Sequence, residues 1–309
     1  MGTVTKGRNR SDRVPERRGI VKGAAGLSPP LSSADLEKWV DPGRGAVLDS
    51  RRFAAAFGFQ ENRVGVSEAT TPASGPLWME ITGFPGRDGW RAGFTTRRAG
   101  GDLAAVLPLL GWEGLPILKP IQQHGNHVVV IDSAGAVPGT PPQGDGVVTS
   151  RRGLVVAIAS ADCVPLILFD HAHGAGAVLH AGWRGTRSRI AREGVALLSS
   201  AFGSRPADLV GLLGPAIGPC CYRVGGEVMA EFRAAGYPEH SLFRRDGDGF
   251  LLDLAEANRI DLIEAGVPAD HIRPTGLCTR CLPGLFPSYR RDGVRAGRIL
   301  TFLGSSVTS

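Results

Sequence analysis

The chain has 309 residues, of which 42% are hydrophobic and 21% are charged, a composition typical of a globular protein with a substantial core. Its net charge of +6 is concentrated in residues 1–23, which contribute +5 through seven Lys and Arg residues and two acidic residues. The other 286 residues carry only +1, which excludes an extended nucleic-acid-binding face outside this tail.

Residues 1–76 are predicted to form an N-terminal extension, and residues 77–305 the folded catalytic region. Residues 1–35 are basic and rich in Arg, Gly, Ser and Pro, so we expect them to be disordered. Residues 35–58 have modest helical character, and residues 64–76 have the composition of a linker.

No segment of the sequence predicts export or membrane insertion. The N-terminus lacks the apolar core of a secretory signal, and the longest apolar stretch, residues 154–169, is interrupted by Ser160, Asp162 and Pro165. The chain has five cysteines, and an odd number without an export signal is typical of a reducing compartment. The sequence therefore predicts a cytoplasmic protein without a membrane partner.

Apolar runs and helical periodicity give the predicted elements. Short runs bounded by Gly, Pro and Asp predict buried strands at 128–131, 154–158, 165–169 and 175–179. Two helices are predicted, at 186–202 and 253–265. In the first helix, the predicted inward residues and the predicted terminator are Ile190, Val195, Leu197, Leu198 and Gly203.

Three metal-ligand side chains lie at the borders of these strands. His124 precedes the first strand, Cys163 lies between the second and the third, and His180 follows the fourth. Two imidazoles and a thiolate are the protein ligands of an open tetrahedral zinc site, whose fourth position is left for water or substrate. Because ends of neighbouring strands can converge, the pattern favours a metalloenzyme.

Five motifs follow one another in a recognisable order: Gln123-His124-Gly125, Ala161-Asp162-Cys163, His180-Ala181-Gly182-Trp183-Arg184-Gly185, Gly214-Pro215-Ala216-Ile217-Gly218-Pro219-Cys220-Cys221-Tyr222 and Ser288-Tyr289-Arg290-Arg291-Asp292-Gly293. This series resembles the laccase-domain family, whose members are described as polyphenol oxidases, peptidoglycan editing factors and purine nucleoside phosphorylases. In that family the first histidine, the cysteine and the second histidine bind zinc, and these positions fall on His124, Cys163 and His180.

The resemblance also implies a fold and an activity. The implied fold is an α/β (α+β) sandwich of mixed β-sheets with helices packed outside. The implied activity is zinc-dependent phosphorolysis of adenosine and inosine to the free base and ribose 1-phosphate, with deamination of adenosine as a second reaction. A nucleoside and phosphate are then the small-molecule partners, Zn²⁺ is the cofactor with copper as a substitute, and the oligomeric state stays open.

Two arginines are candidate catalytic residues that hold an anion. Arg184 lies where a strand passes into a predicted helix, and its guanidinium can form a fork to phosphate. The same Gly-Trp-Arg-Gly segment can instead be a tight turn with Trp183 in the core. Arg290 is assigned a substrate role ahead of Arg291 because its motif lies at the active site in the family.

The chain departs from the family pattern in one interval. Only about twenty residues, 101–120, separate the Phe-Thr-Thr-Arg segment from the Gln-x-His-Gly motif, and the expected Asn-Leu-Gly segment is missing. A Glu61-Asn62-Arg63 triplet is present, but it lies upstream of Phe94, in the wrong order. This departure predicts that part of the substrate pocket is altered or missing.

Other chemistries stay open for the same residues. Cys163 can be a nucleophile with histidine as its base, as in a cysteine hydrolase that edits peptidoglycan precursors. A His₂Cys set also resembles a copper site, but seven histidines with one His-x-His pair are too few for a full laccase, which leaves a weak polyphenol oxidase. A zinc-stabilised scaffold that has lost its pocket is the non-enzyme alternative.

The remaining cysteines and histidines are predicted to be ordinary residues. Cys278 and Cys281 form a Cys-x-x-Cys pair, but Cys220 and Cys221 are adjacent, and we expect adjacent side chains to direct their sulfurs apart. Buried thiols are therefore favoured over a four-thiolate zinc site. The histidines without motif support are His127, His171, His173, His240 and His271.

Overall fold

The structure is a computed structural model, and it describes Met1 and residues 66–68, 77–81, 89–132 and 137–306. The predictions of disorder in 1–35 and of a helix in 35–58 lie outside the described residues, apart from Met1. The described part contains three sheets and six α-helices, which confirms the expected mixed α/β class. The strands are β1 Val66–Glu68, β2 Trp78–Ile81, β3 Trp90–Thr95, β4 Ile117–Leu118, β5 Val128–Ile131, β6 Gly146–Thr149, β7 Leu154–Ser160, β8 Val164–Asp170, β9 Ala175–Ala181, β10 Val210–Leu213, β11 Arg223–Val224, β12 Phe243–Asp246, β13 Gly249–Leu252, β14 Ile272–Pro274 and β15 Ile299–Ser305.

The first sheet has the strand order β1-β2-β3-β15-β7-β4. Its strands are antiparallel, except that β4 runs parallel to β7. Strand β1 pairs Val66 with Ile81 at the edge of this sheet. The prediction of a linker over 64–76 is therefore wrong at Val66–Glu68, where the backbone forms sheet hydrogen bonds. The boundary at residue 77 stays a prediction.

The second sheet has the order β14-β10-β8-β9-β6-β5 and supports the candidate site. The pairs β5/β6 and β10/β14 are parallel, and the other pairs are antiparallel. A third, antiparallel sheet consists of β11, β13 and β12. The four strands predicted from apolar runs are confirmed as β5, β7, β8 and β9.

Alternating side chains divide the core into layers. In β8, Leu166 and Leu168 pack towards the helices, whereas Ile167 and Phe169 pack towards the first sheet. This is the period of two expected for a strand buried on both faces. The second sheet therefore lies between the helices and the first sheet, which makes the predicted sandwich with helices outside correct.

The helices are α1 Trp183–Arg187, α2 Ile190–Phe202, α3 Gly226–Ala234, α4 Glu239–Leu242, α5 Leu254–Glu264 and α6 Tyr289–Asp292. The predicted helix at 186–202 is split between α1 and α2, because Arg189 adopts a left-handed conformation with φ of 65°. Of the predicted inward residues, Leu197 is half-buried and the other three are buried. Gly203 ends α2 as predicted, and Asp253 caps the N-terminus of α5. No helix among the described residues is long and apolar enough to span a bilayer.

The shortened segment 101–120 forms part of the core. It contains a 3₁₀ turn at Leu107–Leu110, and it packs on the outer face of the first sheet. Val106 and Trp112 are buried there, and the Trp112 ring meets Phe302 of β15 edge-on at a centroid distance of 6.3 Å. Residues 101–120 therefore cover the outer face of the first sheet in this chain.

Candidate metal site

Three chain segments bring His124, Cys163 and His180 together. His124 lies in the turn before β5, Cys163 directly before β8, and His180 in β9. Strands β8 and β9 pair antiparallel, with Pro165 opposite His180, so the pairing register places Cys163 beside His180. The ligand atoms of the three residues all lie within 4.8 Å of one another. We call this group the His/Cys site.

The buried carboxylate of Asp145 holds both histidines of the His/Cys site. Its Oδ1 lies 3.1 Å from Nδ1 of His180, and its two oxygens accept the backbone N–H groups of His124 at 2.8 Å and Gly125 at 2.7 Å. A carboxylate behind a ligand histidine fixes the ring orientation and leaves the other nitrogen for the metal. Sequence reasoning missed Asp145, although its position between two glycines before β6 marks a tight backbone approach.

The backbone of the turn carrying His124 adopts an uncommon conformation. His124 has φ of 58°, and Asp162, beside Cys163, has φ of 93°. Positive φ is unfavourable for residues with a Cβ and persists where surrounding contacts fix it, often at functional sites. Here three consecutive N–H groups, from Gln123 to Gly125, donate to the Asp145 carboxylate.

The electrostatics of the site favour a thiolate. Burial raises the pKa of the Cys163 thiol, but hydrogen bonds to His124 and His180 outweigh it and lower the pKa to about 6. Burial acts to lower the pKa of His180, whereas its hydrogen bonds to Asp145 and Cys163 raise it to about 9. The pKa of Asp145 is lowered because hydrogen bonds from His180, Gly125 and His124 exceed the effect of burial. A thiolate is the form of cysteine that binds metal or attacks a substrate.

Gly182 and Gly185 lie where the backbone passes close to the ligand residues and leaves little room for a side chain. A Cβ at position 182 would lie 3.1 Å from Sγ of Cys163 and 3.5 Å from Cδ2 of His124. A Cβ at position 185 would lie 2.5 Å from the carbonyl oxygen of Gly125. The Gly-Trp-Arg-Gly segment therefore has the close packing of the tight-turn alternative, and half-buried Trp183 contacts the core. Its anion-binding role stays a prediction.

The ligands face a cleft of about 190 Å³ that is open to solvent. Its lining residues are Gln122, His124, Ala159, Ser160, Ala161, Cys163, His180, Tyr289 and Arg298. The Gln122 amide is held by two hydrogen bonds of 2.8 Å to the backbone of Ala159. The buried hydroxyl of Ser160 has no hydrogen-bond partner among the described residues. The three metal-ligand residues therefore line the same cleft as a buried Ser160 hydroxyl that has no partner among the described residues.

Both candidate arginines lie near Tyr222, whose phenol also senses the charge of Cys163. Burial and the charge of Cys163 raise the pKa of Tyr222 to about 12, against the opposing charges of Arg290 and Arg184. The Arg290 guanidinium lies 5.2 Å from the centroid of the Tyr222 ring and donates to the carbonyl oxygen of Arg223 at 2.6 Å. The guanidinium of exposed Arg184 lies 4.5 Å from the centroid of the Trp183 ring. Neither arginine is among the residues that line the cleft, and their roles stay predictions.

The neighbouring arginine, Arg291, has a different environment. Its guanidinium donates to the carbonyl oxygens of Thr279 at 2.9 Å and Phe286 at 2.8 Å, and it pairs with Asp292. These contacts tie α6 to the preceding loop. The contacts of Arg291 are therefore structural, in keeping with the choice of Arg290 as the substrate candidate.

Asp162 connects the His/Cys site to two distant loops. Its Oδ1 accepts a hydrogen bond of 2.6 Å from the Thr279 hydroxyl, and its Oδ2 accepts one of 2.6 Å from the backbone N–H of Arg290. Its carbonyl oxygen accepts the N–H of Ile217 at 2.9 Å. The residue before Cys163 thus fixes the segments that carry Arg290 and the motif around Ile217.

The expectation that the other cysteines direct their sulfurs apart is wrong. The Sγ atoms of Cys220, Cys221, Cys278 and Cys281 all lie within 4.8 Å of one another, and only Cys278 is fully buried. Adjacent Cys220 and Cys221 do direct their sulfurs to one place, because a turn lies at these positions. We call this group the cysteine cluster.

The described residues include all seven histidines, and only His124 and His180 belong to a group of metal-ligand atoms. His127 is exposed despite its proximity in sequence to His124. His173 instead pairs with Asp170 at 2.6 Å. The described part of the chain therefore lacks the several histidine pairs of a multinuclear copper site.

The chain is similar to proteins that are named as enzymes of purine nucleosides. The chain is 43% identical over 175 residues to "Purine nucleoside phosphorylase YlmD" of Geobacillus stearothermophilus, covering 56% of this chain and 62% of that protein. It is 36% identical over 198 residues to "Adenosine deaminase RL5" of an unknown prokaryotic organism, covering 60% of this chain and 73% of that protein. The chain thus matches less than two thirds of the length of the first of these relatives.

The fold resembles that of a solved structure, and this similarity covers more of the chain than the sequence matches do. The crystal structure of YlmD from Geobacillus stearothermophilus superimposes with a TM-score of 0.66 and 31% identity, covering 77% of this chain and 98% of that one. Residues 104–306 match the profile of the family described as "Multi-copper polyphenol oxidoreductase laccase". Because this match includes about two thirds of its residues, the chain belongs to the multi-copper polyphenol oxidoreductase laccase family.

Proposed function

We propose that this chain is a zinc-dependent purine nucleoside phosphorylase. The observation that carries the proposal is the His/Cys site, a His₂Cys ligand set that opens onto a cleft. A catalytic zinc keeps one coordination position for water or substrate, and three ligands facing a cleft meet that requirement. The relative named purine nucleoside phosphorylase supplies the substrate class.

The residues present fit a zinc ion. Imidazole and thiolate are ligands that Zn²⁺ accepts, the thiolate is the favoured form of Cys163, and Asp145 supplies the carboxylate behind His180. Copper accepts the same ligand types and is the substitute to test. When bound, the metal supplies Lewis-acid stabilisation of negative charge that develops on the substrate.

In phosphorolysis, an oxygen of phosphate forms a bond to C1′ of the ribose while the bond from C1′ to the purine nitrogen breaks, and the purine leaves with a proton. Arg290 and Arg184 hold the phosphate dianion in this proposal, because guanidinium groups pair with phosphate oxygens and both arginines lie near Tyr222. Asp145 keeps the two histidines in place.

Ser160 is a candidate for positioning the nucleoside. It lines the cleft, and a buried hydroxyl without a partner carries a desolvation cost that a hydrogen bond to substrate removes. Ser160 is also the last residue of β7, directly before the segment that carries Cys163. Its backbone is therefore held by the sheet, which suits a positioning role.

Adenosine deamination is the second candidate activity, because one relative is named adenosine deaminase. Water then takes the place of phosphate as the attacking group: its oxygen forms a bond to C6 of the purine, and the bond from C6 to the exocyclic amino nitrogen breaks. The nitrogen leaves as ammonia with one of the two protons that the water gives up, and the other proton stays on the purine. The His-x-Glu and Pro-Cys-x-x-Cys signature of cytidine deaminases is absent from the sequence, so this reaction would use a different scaffold.

The test is turnover of inosine and adenosine by zinc-loaded protein, with and without inorganic phosphate. We expect phosphate-dependent release of free base together with ribose 1-phosphate, detected by chromatography. Conversion of adenosine to inosine without phosphate supports the second activity. Zinc-loaded protein that turns over neither nucleoside contradicts the proposal and favours a peptidoglycan-type substrate or a scaffold.

A further inference from the structure

The cysteine cluster forms where two neighbouring loops meet. Cys220 and Cys221 lie in the loop that follows β10, and Cys278 and Cys281 lie in the loop that follows β14. Strands β10 and β14 are parallel neighbours in the second sheet, so these two loops leave the same edge. An isolated bridge between Ala216 and Cys278 keeps the loops in register beyond the strands.

The distances within the cluster match a single tetrahedral ion. Sγ of Cys281 lies 3.6 Å from that of Cys220 and 3.4 Å from that of Cys221, and all four sulfurs lie within 4.8 Å. Zinc–sulfur bonds of about 2.3 Å in a tetrahedron separate the sulfurs by about 3.8 Å. The separations are too long for disulfide bonds, and all four cysteines are free.

Neighbouring groups compensate the negative charge that thiolates bring. The backbone N–H of Gly218 donates to Sγ of Cys278 at 3.3 Å. The side chain of exposed Arg280 forms a hydrogen bond to the sulfur of Cys221. A zinc ion with four thiolates has a net charge of −2, and N–H donors and cations around the sulfurs stabilise such centres.

We propose that the cysteine cluster binds a second zinc ion with a structural role. Four protein ligands fill a tetrahedral ion completely, and such closed sites are typical of structural rather than catalytic zinc. Tetrahedral sulfur ligation also suits iron–sulfur clusters. There the four cysteines are shared among two or more iron atoms, and sulfurs bound to different irons lie further apart than those in this compact group.

The proposed ion joins the two loops that border the His/Cys site. Tyr222 directly follows Cys221, and Thr279 lies between Cys278 and Cys281. The Thr279 hydroxyl donates to Asp162, whose other oxygen accepts the N–H of Arg290. A zinc ion at the cluster therefore fixes the segments that position Tyr222 and Arg290, without itself facing the cleft.

The test counts metal in full-length protein purified with reductant and zinc. We expect native mass spectrometry and elemental analysis to give about two zinc ions per chain in the wild type and about one in Cys163→Ser and in Cys281→Ser. X-ray absorption of the zinc retained by Cys163→Ser is the decisive signature. It should show four sulfur neighbours at about 2.3 Å and no nitrogen.

The five cysteines of the chain make these variants matched controls, because four belong to the cluster and one to the His/Cys site. We expect Cys281→Ser to lower the thermal midpoint while its remaining zinc shows mixed nitrogen and sulfur ligands. A folded Cys163→Ser protein that retains no zinc, iron in place of zinc, or disulfide-linked peptides from the cluster would overturn the proposal, whereas a single wild-type zinc with four sulfur neighbours would count against the zinc of the His/Cys site instead. If Cys281→Ser does not fold, the zinc content and the spectrum of Cys163→Ser still decide it.

Discussion

The His/Cys site and the cysteine cluster are two groups of metal-ligand side chains at neighbouring parts of one fold, and they differ in chemistry and exposure. The His/Cys site has three ligands of two types, one of them the exposed His124, and it opens onto a cleft. The cysteine cluster has four ligands of one type, held between two loops. The number of ligands decides what each group can do, because a tetrahedral ion with three protein ligands has a free position and one with four does not.

The two groups are also supported differently. Asp145 is a buried carboxylate that contacts both histidines of the His/Cys site, which is the arrangement that orients ligands for reaction. The cysteine cluster receives the backbone N–H groups of Gly218 and Cys281 and lies beside Arg280, and these groups compensate charge. The difference indicates a reactive centre beside a structural one, with Asp162 and Thr279 connecting them.

The largest expected effect is the loss of turnover on removal of a His/Cys ligand, and it distinguishes the His/Cys site from the cysteine cluster. Cys163→Ser removes a ligand of the His/Cys site, and we expect nucleoside turnover to fall on the order of 10³-fold with loss of the zinc bound there, because Lewis-acid stabilisation contributes several kcal/mol. Cys281→Ser is the matched variant in the cysteine cluster and should retain more turnover than Cys163→Ser, because it leaves all three ligands of the His/Cys site in place. Steady-state kinetics alongside metal analysis make the comparison, and full activity in Cys163→Ser would remove the metal from the mechanism.

Asp145→Asn tests the support of the His/Cys site. We expect zinc affinity and turnover to fall about 10-fold to 100-fold, because both histidines lose their charged partner. Asp170→Asn is the control, since Asp170 is also a buried carboxylate that pairs with a histidine, His173. Both variants should lower the thermal midpoint, but only Asp145→Asn should lower zinc affinity in a competition assay. Equal zinc affinities would show that Asp145 is structural alone.

Arg290→Ala tests the proposed anion site beside the zinc. We expect the KM for phosphate to rise about tenfold with zinc content unchanged, because a charged hydrogen-bond donor is lost. Arg245→Ala, at an exposed position on β12, is the control and should leave the KM unchanged. A phosphate KM that does not respond to Arg290→Ala excludes this residue from the site.

Ser160→Ala has the smallest expected effect. The kcat/KM for nucleoside should fall by about threefold to tenfold through loss of one hydrogen bond, while the thermal midpoint stays the same or rises. Thr301→Val is the control, because the Thr301 hydroxyl is also buried without a partner among the described residues but lies in β15. If the two variants have the same kinetics, Ser160 does not contact the substrate.

Local sequence patterns predicted much of the fold. The apolar runs of β7, β8 and β9 identified strands because both faces of each strand are buried. The break at Arg189 between α1 and α2 was not visible, since a left-handed arginine depends on tertiary contacts. One such contact is its ion pair with buried Asp261, far along the sequence.

The ligands of the His/Cys site were found because each stands in a motif, whereas Asp145 was missed because its partners are 20 and 35 residues away. The cysteine cluster was misjudged for a different reason. Adjacent side chains diverge in extended backbone, but Cys220 and Cys221 lie in a turn that brings both sulfurs to Cys281. The adjacent cysteine pair together with the Cys-x-x-Cys motif could have indicated the cluster. The sequence does not show the turn at Cys220 and Cys221, and without that turn the convergence of the sulfurs could not be predicted.

The most direct test is stepwise removal of zinc by a chelator, with turnover, zinc content and circular dichroism followed on the same samples. The two-centre account predicts that the more accessible zinc leaves the His/Cys site first. Turnover should then fall to zero once about one zinc per chain has been removed, with secondary structure intact and activity restored by added zinc. Turnover that persists after the first zinc is lost, or two ions that leave only as the protein unfolds, would contradict the account.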